Sequence, residues 1–184
     1  MSEIATRPKN HKFRVYGQSC AMALEINKDN NSPKASSEYV AQSDLYYLTL
    51  QIAPSNGKRE YDWNTETCIL LKLSQNEVLE LASVFLRIKN NLKIDKRKTT
   101  HRTHAAYKNV NITVNQGGGL LIQAGLIPVE KQSFQRLLHT LPVSQMDCVG
   151  VGLFLLGYLT LKMPWVSSES IITALRLSES KNPS

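Results

Sequence analysis

The spacing of apolar residues along this chain changes twice, from a period of two to one of about 3.6, and both changes follow paired strand-like segments. Phe13 to Ile26 reads as strand, with Cys20, Met22, Leu24 and Ile26 alternating against Ala21, Ala23 and Glu25. Asn27 to Asp44 is polar and reads as a loop. From Leu45 to Ala53, Leu48, Leu50 and Ile52 face one way while Tyr47, Thr49 and Gln51 face the other. Asn56-Gly57 turns the chain, because both residues tolerate positive φ, and Thr65 to Leu73 is expected to return as strand. Ser74-Gln75-Asn76-Glu77 is then a capping box, in which a hydroxyl and a carboxylate satisfy free amides at a helix start. Val78, Leu81, Ala82, Phe85 and Ile88 follow at helical spacing, so this helix is expected to reach about Asn90.

The second half follows the same plan. Val110, Ile112 and Val114 alternate with Asn111, Thr113 and Asn115, the glycines after Gln116 turn the chain, and Leu120, Ile122 and Ala124 return. Ile127-Pro128 is expected to open a second helix, with Pro128 in its first turn and Phe134, Leu137, Leu138 and Leu141 on one face. That helical part is expected to continue through Met146 to Leu161, and its last stretch is apolar nearly all round, which implies burial on more than one side and a subunit interface. The chain is therefore expected to be one α+β domain with an internal sheet–helix repeat, long enough at 184 residues for its own core. Its expected bounds are 13–165, with a flexible segment before it (1–12) and a C-terminal tail after it (166–184).

The net charge of +7 is concentrated in one place. Arg87, Lys89, Lys93, Lys96, Arg97, Lys98, Arg102 and Lys108 lie together against Asp95 alone, and a smaller cluster of Arg7, Lys9, Lys12 and Arg14 opens the chain. Charge alone leaves a polyanion partner and a plain solvated segment equally open. Nothing converges on catalysis. His101 and His104 have no acidic or cysteine neighbour, Gly117 to Gly119 lack the Gly-Lys-Ser/Thr ending of a phosphate loop, and Glu60 and Asp62 flank an exposed turn with no base nearby. No cofactor and no metal are expected. Cys20, Cys68 and Cys148 are an odd number in apolar contexts without metal-ligand spacing, which suits buried free thiols in a reducing compartment. The first residues lack the apolar core of a secretory signal, and no apolar run reaches the roughly 20 residues of a membrane span, so a cytoplasmic setting is expected.

Four pieces taken in order, "LTLQIAPSNGKREYDW", "ILLKLSQNEV", "IPVEKQSFQRLL" and "FLLGYLTL", resemble the Whirly family of single-stranded-DNA-binding proteins. The match rests on the strand, turn, basic residue and Tyr61-Asp62-Trp63, on the Leu73-Ser74 helix start, on Ile127, Pro128, Lys131 and Phe134, and on Phe154 to Tyr158. The resemblance spans about Phe13 to Met163. It departs where the family carries Lys-Gly-Lys-Ala-Ala-Leu, since this chain reads Gly17-Gln18-Ser19-Cys20-Ala21-Met22 without either lysine. The resemblance implies two roughly perpendicular antiparallel four-stranded sheets backed by helices, a tetramer assembled through those helices, and single strands bound along the sheets with little sequence preference. On this reading Lys58 and Arg59 meet phosphates, Tyr61 and Trp63 offer rings to bases, Thr49, Gln51 and Lys72 line the strand surface, and Lys96, Arg97, Lys98, Arg102 and Lys108 extend it electrostatically. Single-stranded DNA is favoured as the partner. A single-stranded-RNA-binding or annealing protein on the same fold and a scaffold subunit docking an acidic protein are the alternatives.

Overall fold

Alternating apolar residues build both sheets in the computed structural model, which describes residues 11–31, 41–58 and 60–180. Sheet 1 is an antiparallel meander of β1 (Lys12–Tyr16), β2 (Cys20–Lys28), β3 (Tyr46–Pro54) and β4 (Ile69–Leu73). Sheet 2 repeats it with β5 (Asn91–His101), β6 (His104–Val114), β7 (Leu120–Pro128) and β8 (Leu137–Val143). A helix follows the last strand of each: α1 (Gln75–Phe85) and α2 (Gln145–Lys162). Both begin at a serine. The Ser74 hydroxyl accepts from the Glu77 amide at 3.3 Å while the Glu77 carboxylate accepts from the Ser74 amide at 2.7 Å. The Ser144 hydroxyl accepts from the Asp147 amide at 3.1 Å, and Asp147 places a negative charge at the helix's positive end.

One core joins the layers. Met22, Leu24, Leu48, Leu50 and Ile52 of sheet 1 and Val110, Ile112, Leu120 and Ile122 of sheet 2 are buried with Val78, Leu81 and Phe85 of α1 and Val151, Leu155 and Leu159 of α2. The two sheets meet along β8 and β4. Ser19 Oγ and Cys20 Sγ both donate to the Thr140 carbonyl, at 3.0 and 3.2 Å, and Lys108 Nζ donates to the Leu70 carbonyl at 2.6 Å. Gly17 lies at the first meeting point, where a Cβ would come within 2.5 Å of the Leu141 side chain.

Several expected elements differ. The first strand is two, broken at Gly17 to Ser19, and β4 begins only at Ile69, because the Asn64 side chain and carbonyl collect the amides of Glu66, Thr67 and Cys68 into a turn. Helix α1 stops at Phe85, and Arg87 is left-handed at φ 62°. The largest correction concerns 127–143. The helix expected from Pro128 is absent; Pro128 ends β7, and Leu137, Leu138 and Leu141 belong to β8. Leu141 and Val143 are buried at a period of two while Leu138 is exposed, and Pro142 is tolerated because β8 is an edge strand. Among the described residues of the expected C-terminal tail lies a helix, α3 (Ser168–Ser180), which buries Ile171 and Leu175 against the core; residues 181–184 lie outside the described residues.

Candidate nucleic-acid interface

Strand register puts the side chains opposite the core of sheet 1 into rows. One row runs Lys12, Glu25, Thr49, Lys72, and the next runs Arg14, Ala23, Gln51, Leu70. The expected outward direction of Thr49, Gln51 and Lys72 is therefore correct, but the three are not equally available. Thr49 is buried, because its hydroxyl accepts from Asn27 Nδ2 at 3.2 Å and Glu25 and Asn27 close over it. Gln51 is half-buried and donates to the Glu25 carboxylate at 3.3 Å, which also takes Lys12 Nζ at 3.1 Å. Lys72 is exposed, with its ammonium 4.0 Å from the centre of the Tyr47 ring.

Rings gather on the same face. Arg14 lies 5.7 Å from the Trp63 ring centre, and Tyr16 meets Tyr61 at 5.5 Å between centroids. The Tyr61 hydroxyl donates to the Gly17 carbonyl at 2.6 Å, which fixes the ring, whereas Tyr16 is 59 % exposed. The small side chains of Ala21, Ala23 and Ala53 leave room for these rings. Lys58 stands exposed at the turn beyond Gly57, which is left-handed at φ 83°, and the Lys58 amide donates to Asn56 Oδ1 at 3.0 Å. Arg59 lies outside the described residues.

The basic block forms the long β5–β6 hairpin, and its cations divide. Between Ile94 and Arg97 a bulge makes three steps of β5 answer two of β6, which turns Arg97 to the core side opposite Lys108. There the Arg97 Nη1 donates to both Glu77 oxygens at 3.0 Å, and Lys108 reaches the Leu70 carbonyl. Burial, and then the charge of Arg97, holds the Lys108 ammonium below the ordinary lysine range. Arg102 at the hairpin tip pairs with Glu66. Arg97, Arg102 and Lys108 thus brace the fold, while Lys96 and Lys98 remain exposed beside Lys93. The bulge holds Lys96 left-handed at φ 50°, with its amide donating to Asn109 Oδ1 at 2.7 Å.

The Whirly transcription factor family model matches residues 15–147. This chain belongs to the Whirly family. It shares the fold of the crystal structure of WHY1 from Arabidopsis thaliana, at a TM-score of 0.62 and 17% identity over 85% of this chain and 92% of that one. The plant transcriptional regulator PBF-2 gives 0.64 and 18% over 97% of this chain and 91% of that one. The Trypanosoma MRP1/MRP2 structures give 0.51 and 9%, covering 88% and 90%. No curated protein matches the sequence. As a Whirly chain it belongs to a family of nucleic-acid-binding regulators. Sequence reasoning left out Arg14, Tyr16 and Tyr47, which the structure brings into this cluster of rings and cations. The alternation through Lys12 to Tyr16 was the available signal for the first two. No described helix is long and apolar enough to cross a membrane, and no described cluster of His, Cys, Asp and Glu could hold a metal ion.

Proposed function

We propose that this chain binds single-stranded DNA without a required sequence, using the outer face of sheet 1 and the exposed edge of β5. The observation that carries this is the interleaving of cations and rings on one face: Arg14 with Trp63, Lys72 with Tyr47, and Tyr16 with Tyr61. Rings stack on any base at about 1–3 kcal/mol each, and the cations add a phosphate term that salt weakens. Lys58, Lys96 and Lys98 extend the charge, Arg59 belongs to the same basic turn by sequence, and Arg97, Arg102 and Lys108 hold the hairpin that presents the lysines. The protein works as a homo-oligomer, four copies by family resemblance. An apolar stripe on α2 supports this, since Met146, Val149 and Leu153 are 76, 49 and 62 % exposed at helical spacing. A reducing cytoplasmic setting suits its three buried free thiols.

Fluorescence anisotropy across a salt series, with single-stranded DNA, duplex DNA and single-stranded RNA, tests the reading. Single-stranded DNA is expected to bind most tightly and to weaken steeply with salt. Tighter binding of RNA would transfer the site to RNA, and absence of salt-sensitive binding to any of the three would end the proposal. Light scattering on the same sample is expected to give a multiple of the chain mass.

A further inference from the structure

The outer face of sheet 2 differs from that of sheet 1 in carrying a depression. One row across it runs Lys93, Asn111, Gln123, Thr140, and the next runs Asn109, Gly125, Leu138. Gly125 contributes no side chain, so the sheet sinks between its neighbours. The resulting pocket, of about 430 Å³, is bordered by Asn109, Asn111, Gln123, Thr140, Ile127 and Leu138. Leu138 leans over the gap, 3.2 Å from where a Gly125 Cβ would stand, and is itself 58 % exposed. The site thus combines an apolar wall, a flat floor and carboxamides, and at its border the Lys93 ammonium pairs with the Asp95 carboxylate at 3.1 Å.

We propose that this pocket takes one unstacked purine base from the bound single strand; the inference rests on the single-strand reading above. A flat ring system laid on Gly125 is covered by Leu138 and Ile127, and a purine presents more surface to them than a pyrimidine. The polar border matches a base edge. Asn111 Nδ2 and Gln123 Oε1 stand 3.5 Å apart, the outer limit of a hydrogen bond, so a base inserted between them exchanges a poor contact for better ones. Asn109 commits its oxygen to the Lys96 amide, so what it offers a base is its amino group, a donor suited to purine N7 or N3. Adenine matches both sides of this arrangement, with an exocyclic amino donor beside ring-nitrogen acceptors. Lys96, exposed at the bulge, lies where a flanking phosphate would run, while the Lys93 ammonium is held by Asp95.

The test uses the full chain and two labelled strands of equal length, oligo(dT) and the same strand with adenine at every third position. Wild type is expected to bind the adenine-containing strand about tenfold more tightly. Gly125→Val fills the depression, and Gln123→Leu, at an exposed position, removes a carboxamide with little risk to folding. Both variants are expected to lose the preference while keeping oligo(dT) affinity and its salt slope, since neither changes charge. Equal wild-type affinity for the two strands, or variants that keep the preference, would overturn the pocket while leaving single-strand binding intact. Loss of salt-sensitive oligo(dT) binding by wild type would instead overturn the single-strand reading, and the pocket with it.

Discussion

Sheets 1 and 2 share a plan and differ in what they display. Each is a four-stranded antiparallel meander, and each last strand leads directly to a capping serine, Ser74 or Ser144, and a helix. Their inner faces are interchangeable in kind: Leu48, Leu50 and Ile52 do for one what Val110, Ile112 and Ile122 do for the other. Their outer faces are not. In the row Lys12, Glu25, Thr49, Lys72 the Glu25 carboxylate collects Lys12 and, from the next row, Gln51, leaving Lys72 exposed, whereas in Lys93, Asn111, Gln123, Thr140 the carboxamides border a gap at Gly125 and Lys93 pairs with Asp95. Aromatic rings stand over the first face; carboxamides border the second. The inner face answers to the shared core, so the fold constrains it. The outer face answers only to solvent and ligand, and there one architecture carries two chemistries.

The likeness of the inner faces can be broken most severely. Leu50→Ala in sheet 1 and Ile122→Ala in sheet 2 are each expected to cost about 2–5 kcal/mol in urea unfolding, because both are fully buried in one continuous core. A large cost for one with almost none for the other would mean that the sheets do not share that core. Next come the outer cations. Removing Arg14 and Lys72 together is expected to weaken binding of single-stranded DNA by at least about tenfold and to flatten its salt slope by about 1.4, roughly 0.7 for each charge removed. Arg97→Ala instead breaks the contact to Glu77, so it is expected to lower stability more than it changes that slope.

The repeated caps give a smaller effect. Ser74→Ala and Ser144→Ala are each expected to cost about 1 kcal/mol, measured by thermal or urea unfolding. A larger loss at Ser144 fits its second bond, in which the hydroxyl also donates to Asp147 Oδ2 at 2.6 Å, whereas the Ser74 amide keeps its bond to Glu77 in the alanine variant. The slightest difference concerns thiols. Burial pushes the Cys68 thiol up to about 11, so in native protein at pH 8 it stays protonated and is expected to resist alkylation that proceeds readily in urea. Rapid native labelling at Cys68 would show that the seam between the sheets opens.

Most of sheet 1 was legible because its strands alternate cleanly and its helix announces itself with Ser74 and Glu77. The second half was harder for a physical reason. Phe134, Leu137, Leu138 and Leu141 satisfy a helical spacing, while the strand pattern in β8 has only Leu137, Leu141 and Val143 to support it around His139. Pro128 favoured the helix, and the true cap at Ser144 fell inside a stretch already read as helical. For the interface, the alternation gave the direction of Thr49, Gln51 and Lys72, but the burial of Thr49 depends on Asn27 and Glu25 in a neighbouring strand. The inward turn of Arg97 depends on a bulge, an extra residue in pairing that no local pattern encodes. Arg14 meets Trp63 only once β1 and the turn after β3 are folded together.

Strands β1 and β5 each close one side of their sheet, leaving a row of backbone groups that another chain could pair with. Lys12 and Arg14 line the first, and Lys93, Lys96 and Lys98 the second. Charges of this kind at an open strand discourage edge-to-edge aggregation, and here both margins repel their own copies. Neutralising those margins removes that protection.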